Sequence, residues 1–268
     1  IGWKHEMSNL TRQDALDWYR TYYAPNNAIL IVAGDVEPEA VKTLAETHYG
    51  PLEPSPGIVE RKRVEEPPQL SERRLTYSDP RVSQPYVMRT YLAPERDPGA
   101  QEKAAALTIL AELLGGNAQT SVLGRKLTFE GKEAIYASAF YDGTSLDDTT
   151  FGLIVVPTEG VSLADAEAAM DRVIAEFVET GVDAGQFARI KTQIKAGIIY
   201  GKDSTEGLAQ RYGQALTSGL TVADVQAWPD ILQAVTEEDV IAVARDVFDK
   251  RRAVTGWLMR DEAAEVMQ

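Results

Sequence analysis

One pattern of 26 residues occurs twice in this chain, 225 positions apart. In both Leu10–Asp35 and Val235–Arg260, a threonine N-cap is followed by an amphipathic helix, a turn and a short apolar run. Four aligned positions are identical, which alone is a weak match, but the elements recur in the same order and register. The repeat therefore predicts a duplicated unit that combines helices with strands. The identical pairs are Thr11 and Thr236, Asp14 and Asp239, Arg20 and Arg245, and Ala28 and Ala253.

The first copy contains helix boundaries and a candidate strand. Thr11 marks the start of a helix of about three turns, which is stopped by Ala24–Asn27. The next six residues, Ala28–Ala33, form an unbroken apolar run, a pattern typical of a buried strand. Pro38 then begins a second helix, which is predicted to run to about Tyr49.

Prolines and charges mark a linker between the two copies. Five prolines lie between Pro51 and Pro68, beside the charged stretch Glu60–Arg63. The sequence therefore predicts the end of a first domain over residues 1–58, a linker over 59–73 and a second domain over 74–268. In this organisation the first copy of the duplicated unit is truncated and the second copy is complete.

The second domain is predicted to mix strands and helices, and its two middle strands form an antiparallel hairpin with a loose turn. The predicted strands are Arg74–Tyr77, Tyr86–Leu92, Ala134–Tyr141, Thr150–Val156 and Ala253–Met259. The predicted helices are Ala100–Leu114, Ser121–Phe129, Ser162–Gly181, Ala184–Tyr200, Thr205–Ser218 and Thr236–Phe248. The fold class that follows is α+β.

Composition excludes several classes of function. The 27 Lys and Arg residues against 41 Asp and Glu give a net charge of −14, which disfavours a sequence-independent nucleic-acid binder. Without cysteine, the chain has no disulfide, thiolate zinc site or cysteine nucleophile. Its two histidines, His5 and His48, are too few for a three-histidine metal site.

No apolar run approaches the roughly 20 residues of a membrane span. Because the chain opens with Ile1 and has no leader pattern, we expect a piece of a longer protein whose compartment the terminus does not reveal.

Ten short segments along the chain form a recognisable series. They are Ile1–Trp3, Asn9–Thr11, Tyr23–Ala28, Ala33–Val36, Tyr49–Leu52, Ser83–Tyr86, Leu110–Gly116, Ser121–Leu127, Ala134–Tyr136 and Gly256–Leu258. These segments resemble the insulinase, pitrilysin and mitochondrial-processing-peptidase family of zinc metallopeptidases, and most closely its short bacterial members. The resemblance covers nearly the whole chain and implies two duplicated α+β domains, each with an antiparallel-rich sheet covered by helices, joined by a linker.

The family's zinc motif is absent from this sequence. Family members bind zinc through an inverted His-x-x-Glu-His helix and a second Glu, and the motif's Glu acts as general base. Both elements lie before the segment that matches Ile1–Trp3, and neither His5 nor His48 belongs to such a motif. The resemblance thus implies zinc in the full-length protein, none bound by this chain, and no catalytic residue within it. The chain alone is not expected to hydrolyse peptides.

Family members also hold the substrate carbonyl with an Arg and a Tyr of the second domain, seven residues apart. Tyr136 matches the Tyr, which makes it the candidate substrate-binding residue, but the Arg position is Phe129, or Thr128 with a one-residue shift. Arg125 is either a displaced substitute or a solvated helix residue. Such a loss is the pattern expected of a zinc-bearing subunit whose related partner subunit supplies both groups.

Other conspicuous residues have structural interpretations beside functional ones. His5 suits a surface or packing role, and His48 suits the C-terminal end of a helix, where a cationic imidazole is favoured. Gly115–Asn117 could cradle an anion or end a helix. Three acids resemble a calcium loop in composition, but they lack its spacing and fit a solvated turn. They are Asp142, Asp147 and Asp148.

The leading hypothesis is the C-terminal part of a zinc-dependent metalloendopeptidase that encloses and cleaves peptides. The alternative is a non-catalytic scaffold or binding subunit of the same fold. A self-contained small-molecule enzyme is disfavoured because no Gly-x-Gly-x-x-Gly, Gly-x-Ser-x-Gly or phosphate-loop pattern occurs. The expected partners are a peptide substrate and a related second subunit, without nucleic acid or a membrane span. The resemblance to short bacterial members implies a periplasmic location.

Overall fold

The computed structural model describes residues 2–59 and 67–261. The predicted linker over 59–73 lies in part outside these ranges, as do residues 262–268 of the predicted second domain. By its internal packing the chain divides into unit 1, which is Ile1–Glu66 with Ser204–Thr217, and unit 2, which is Pro67–Asp203 with Ser218–Gln268. The described α-helices are α1 Lys4–Met7, α2 Arg12–Tyr22, α3 Pro38–His48, α4 Glu102–Ala111, α5 Leu163–Thr180, α6 Ala184–Tyr200, α7 Thr205–Thr217, α8 Val222–Ala234 and α9 Glu237–Val247.

Unit 2 contains a sheet of five strands in the order β1-β5-β2-β4-β3. Three of its four strand pairs are antiparallel, and β1 with β5 is the parallel pair. The predicted α+β class, with an antiparallel-rich sheet covered by helices, is therefore confirmed, as is the hairpin of β3 and β4. The strands are β1 Arg73–Asp79, β2 Tyr86–Ala93, β3 Ala134–Tyr141, β4 Thr149–Pro157 and β5 Ala253–Arg260.

The core lies between one face of this sheet and helices α4, α5 and α9. Side chains of a strand alternate between the two faces, and the buried side of β2 carries Val87, Arg89, Tyr91 and Ala93. Helix α5 packs one apolar stripe against this core, and five residues of that stripe are buried. They are Ala166, Met170, Val173, Ile174 and Phe177.

Helix starts follow from their capping residues. Thr11 and Thr236 accept hydrogen bonds from the backbone N–H of the third helical residue, and Ser162 does the same for α5. Helix α8 is absent from the sequence prediction because Pro229 interrupts its interior. The signal that could have found it is Thr221, which forms the same capping box with Asp224.

The strand predicted over Ala28–Ala33 is wrong. These residues have no ladder partner, because all strands of the described residues belong to unit 2. Backbone N–H and C=O groups become a strand only when a second strand pairs with them, which an apolar run cannot ensure by itself. Ile29, Leu30 and Val32 are exposed as a result.

Candidate functional site

On the second face of the sheet in unit 2 most side chains are exposed or half-buried, with Val156 as a buried exception, in contrast to the helix-covered face. Residues that pair across neighbouring strands lie on the same face, so the strand register defines this surface. We call it the open face. It comprises Leu75 and Tyr77 of β1, Tyr86, Met88, Thr90 and Leu92 of β2, Tyr136, Ser138 and Phe140 of β3, Gly152, Ile154 and Val156 of β4, and Val254, Gly256 and Leu258 of β5.

None of these open-face residues is charged, although 25% of the chain's residues are. The charged side chains on this side of the sheet stand at strand ends: Arg73 and Asp79 on β1 and Arg260 on β5. An exposed, contiguous apolar surface of this kind is uncommon on a soluble protein and is typical of an interaction surface. The open face is therefore the candidate functional site.

Tyr136 lies on the open face near the start of β3, opposite Val156. Its side chain is 46% exposed, and its hydroxyl has no hydrogen-bond partner within the described residues. Phe129, at the position where the family has its Arg, is also exposed, on the helical segment Gly124–Glu130. A phenyl ring carries no hydrogen-bond donor, so the side chain of Phe129 cannot donate a hydrogen bond.

Arg125 does not accompany Tyr136 on the open face. It lines a groove together with Glu176, Phe177 and Thr180 of α5, and α5 packs on the buried side of the sheet. Its closest carboxylate is that of Glu130, at 3.8 Å. This position agrees with the solvated helix residue rather than with a displaced substitute for the missing Arg.

The other conspicuous residues are also placed apart from the open face. His5 lies in α1, and His48 is the last residue of α3, as a C-terminal helix interaction requires. Asp142 accepts a hydrogen bond from the backbone N–H of Thr144 at 2.9 Å, which is a local turn contact. Across residues 2–59 and 67–261, no three His, Cys, Asp or Glu side chains are grouped to hold a metal ion. The residues present do not fit a zinc site, and we assign no zinc-dependent step to them.

Gly115 matters for packing rather than for an anion. A Cβ atom at this position would lie 1.8 Å from the backbone nitrogen of Ala139, so only glycine allows the helical segment Glu112–Gly116 to approach β3. Ser138 donates a hydrogen bond to the carbonyl oxygen of Gly115 at 2.9 Å, which fixes this contact.

A buried ion-pair cluster lies behind the open face. Arg89, 1% exposed, donates to Thr255 at 2.9 Å from Nε and to the carboxylates of Glu167 and Asp171 from its terminal nitrogens. These contacts tie β2 to β5 and to α5, and each of the three guanidinium nitrogens donates to an acceptor. Alternation along a strand carries no information on a partner about 80 residues away, so the sequence did not predict this cluster.

Glu167 is the centre of this cluster. It accepts hydrogen bonds from Arg74 at 2.7 and 2.6 Å and from Trp257 Nε1 at 2.7 Å. Burial alone would raise the pKa of the Glu167 carboxyl, but these hydrogen bonds and the charge of Arg89 outweigh it and lower the pKa to about 2. The carboxylate thus stays ionised and holds β1, β2 and β5 together, which supports the geometry of the open face.

The sequence profile of a family described as the peptidase M16 inactive domain matches residues 9–194. Among curated proteins, zinc protease PqqE of Helicobacter pylori is 25% identical over 265 residues, which is 96% of this chain and 57% of that protein. Mitochondrial-processing peptidase subunit beta of Lentinula edodes is 23% identical over 271 residues, 96% of this chain and 56% of that protein.

The fold is shared with solved structures. The crystal structure of a protease from Helicobacter pylori superposes with a TM-score of 0.86 at 23% identity, covering 96% of this chain and 61% of that one. The chain spans little more than half the length of the curated relatives it matches. Within the described residues, no helix has the length and apolar character needed to traverse a bilayer.

Proposed function

Because the chain belongs to the peptidase M16 family, we propose that its open face is one wall of a chamber in which a zinc metallopeptidase encloses and cleaves peptides. The observation that carries this proposal is the exposed, uncharged open face, with the free hydroxyl of Tyr136 on it. A surface without charge can contact a peptide of varied sequence without leaving a buried charge unpaired.

The catalytic zinc, in this proposal, is held by residues of the longer protein outside this chain. Relatives named zinc proteases support it, because each is nearly twice as long as the stretch that it shares with this chain. We propose that residues 1–58 end the zinc-bearing domain, that 59–73 link the domains, and that 74–268 form the second, non-metal domain. The division of the chain near residue 66 supports this organisation, whereas helix α7 belongs to unit 1 and departs from it.

Cleavage of an internally quenched, unstructured peptide tests the proposal. Purified residues 1–268 should give no hydrolysis above the buffer rate, with or without added zinc. The longer protein that carries the upstream residues should cleave, lose activity with 1,10-phenanthroline and regain it with zinc. Chelator-sensitive cleavage by residues 1–268 alone would contradict our placement of the catalytic machinery.

We further propose a related partner subunit that supplies the Arg and Tyr which polarise the substrate carbonyl. Phe129 in place of the Arg supports this, since carbonyl polarisation in the transition state needs donors beyond the metal. The longer protein should gain activity when the partner is added. Tyr136→Phe should then change the cleavage rate of the mixture by less than about threefold, because the partner's Tyr is the one in use.

Tyr49→Phe, an exposed tyrosine outside the open face, is the matched control. A loss of about 100-fold or more on Tyr136→Phe, without a gain on adding the partner, would show that this chain polarises the substrate by itself. A periplasmic location belongs to the same proposal, and fractionation of the cells tests it.

The second candidate is a non-catalytic scaffold or binding subunit of the same fold. The match to the inactive domain and the loss of the Arg are both compatible with it. Reading the coding region upstream of this chain distinguishes the two candidates. An intact His-x-x-Glu-His motif there supports the peptidase, and a degenerate motif supports the scaffold.

A further inference from the structure

A pocket of about 260 Å³ lies on the open face where β1, β5 and β2 meet. Its floor is the backbone of Gly256, which pairs with Leu75 on one side and with Met88 on the other. Every side chain around it is uncharged, with aliphatic groups, a thioether and two phenol rings. Among the lining residues are Leu75, Tyr77, Tyr86, Met88, Gly256 and Leu258.

The pocket exists because residue 256 is glycine, and nothing in the backbone requires glycine there. Its φ angle is not in the left-handed region. A Cβ atom at this position would lie 3.6 Å from Leu75 Cδ1 and 3.9 Å from the carbonyl oxygen of Met88, both ordinary contacts. A glycine inside a strand lowers stability and often marks a place where a ligand approaches closely.

Gly152 on the same face shows the opposite situation. A Cβ atom there would lie 2.1 Å from Phe140 Cζ, so the phenyl ring of the neighbouring strand already fills the space. Among the residues that the structure describes, no side chain fills the corresponding space over Gly256. The two strand glycines on this surface therefore differ: the phenyl ring of Phe140 covers Gly152, whereas the pocket over Gly256 stays open.

The pocket is accessible from the edge of the sheet. β1 is the last strand, paired with β5 on one side and with no strand of the described residues on the other. Leu75 and Tyr77 on β1 are exposed, so a ligand meets no wall beyond them within unit 2.

We propose that the pocket over Gly256 binds an uncharged, apolar side chain of a peptide, such as leucine, methionine or phenylalanine. The inference rests on the proposed function and adds a specificity to it, because it states which peptide segments the open face prefers. Burial of an apolar side chain against apolar walls is favourable in free energy, whereas a carboxylate or ammonium group would lose its hydration without gaining a partner. Tyr86 offers its hydroxyl to the peptide backbone, and the hydroxyl of Tyr77, which donates to Asp79 at 3.4 Å, can still accept a hydrogen bond.

Binding to residues 1–268, measured by fluorescence anisotropy in the presence of chelator, tests this without any cleavage. The probes are fluorescein-labelled, acetylated Thr-Thr-Leu-Thr-Thr and the same peptide with Asp in place of Leu. We expect the leucine peptide to bind at least tenfold more tightly than the aspartate peptide. Equal affinities would overturn the proposal, while the cleavage test of the longer protein would remain independent of this result.

Two variants locate the binding. Gly256→Val fills the pocket and should weaken leucine-peptide binding at least tenfold, whereas Gly197→Val on α6, where a Cβ meets no atom within 4 Å, should not. Leu75→Lys places a charge in the wall and should weaken the leucine peptide and strengthen the aspartate peptide. Leu146→Lys, an exposed leucine in the β3–β4 loop, is its control.

Unchanged leucine-peptide affinity in both Gly256→Val and Leu75→Lys would overturn the assignment. Because Leu75 is exposed on the edge strand, its variant keeps the test valid if circular dichroism shows that Gly256→Val does not fold.

Sedimentation, which measures the oligomeric state, provides a last check. A wild-type dimer that Gly256→Val dissociates would show that a second copy of this chain, rather than a peptide, occupies the pocket.

Discussion

The two copies of the repeated pattern, Leu10–Asp35 and Val235–Arg260, have the same local structure and different packing. Helices α2 and α9 begin and end 225 residues apart, and each starts with a threonine–aspartate capping box. Short 3₁₀ turns follow at Pro25–Asn27 and Lys250–Arg252, again 225 residues apart. The local sequence therefore determines the cap, the helix and the turn in both places.

The two copies differ in how much of their equivalent side chains is buried. In α2, Trp18, Tyr19 and Tyr22 are 58%, 55% and 40% exposed, while their counterparts Val243, Ala244 and Val247 in α9 are 8%, 0% and 5% exposed. The extended segment after the first turn has no ladder, whereas β5 pairs with β1 and β2. This difference shows that local sequence is sufficient to form a helix, whereas a strand needs hydrogen-bonding partners from distant parts of the chain.

We expect the largest difference between the two copies in the stability lost when an aspartate is introduced at equivalent positions of α9 and α2. Val240→Asp puts a carboxylate into the core of unit 2, where Val240 is fully buried, and should lower the free energy of unfolding by about 4 kcal/mol or more. Ala15→Asp changes the equivalent, exposed position of α2 and should cost less than about 0.5 kcal/mol. Urea unfolding followed by circular dichroism measures both, and similar losses would contradict the comparison.

A smaller effect is expected from the caps. Thr236→Ala should lower the free energy of unfolding by about 1 kcal/mol, because α9 is part of the cooperative core and loses its N-terminal acceptor. Thr11→Ala removes the same hydrogen bond from α2, which buries no residue. It should fray that helix, seen as a change in its NMR chemical shifts, and leave the urea midpoint of unit 2 unchanged. A shift of that midpoint by Thr11→Ala would show that α2 is coupled to the core.

The same contrast explains how much was predictable from the sequence. The caps at Thr11, Ser162 and Thr236 placed these helices within a residue or two. Helix α8 was missed at Pro229, a residue that usually ends a helix but is tolerated in this one.

Features that depend on contacts between residues far apart in the sequence could not be predicted. The pairing of Arg89 with Glu167 joins a strand to a helix, and the pocket over Gly256 exists because β1, β5 and β2 become adjacent. No local pattern encodes these neighbours. The resemblance to a family could identify Tyr136, but only the strand register shows which uncharged surface surrounds it.

Amide hydrogen exchange of two segments tests the central claim, that the first copy is one part of a duplicated architecture whose remaining strands lie in the longer protein. In residues 1–268, amides of Ala253–Arg260 that join the ladder should exchange at least about 1,000-fold more slowly than those of Ala28–Asp35. In the longer protein, Ala28–Asp35 should become comparably protected. Similar protection of both segments in residues 1–268, or no protection of Ala28–Asp35 in the longer protein, would contradict the account.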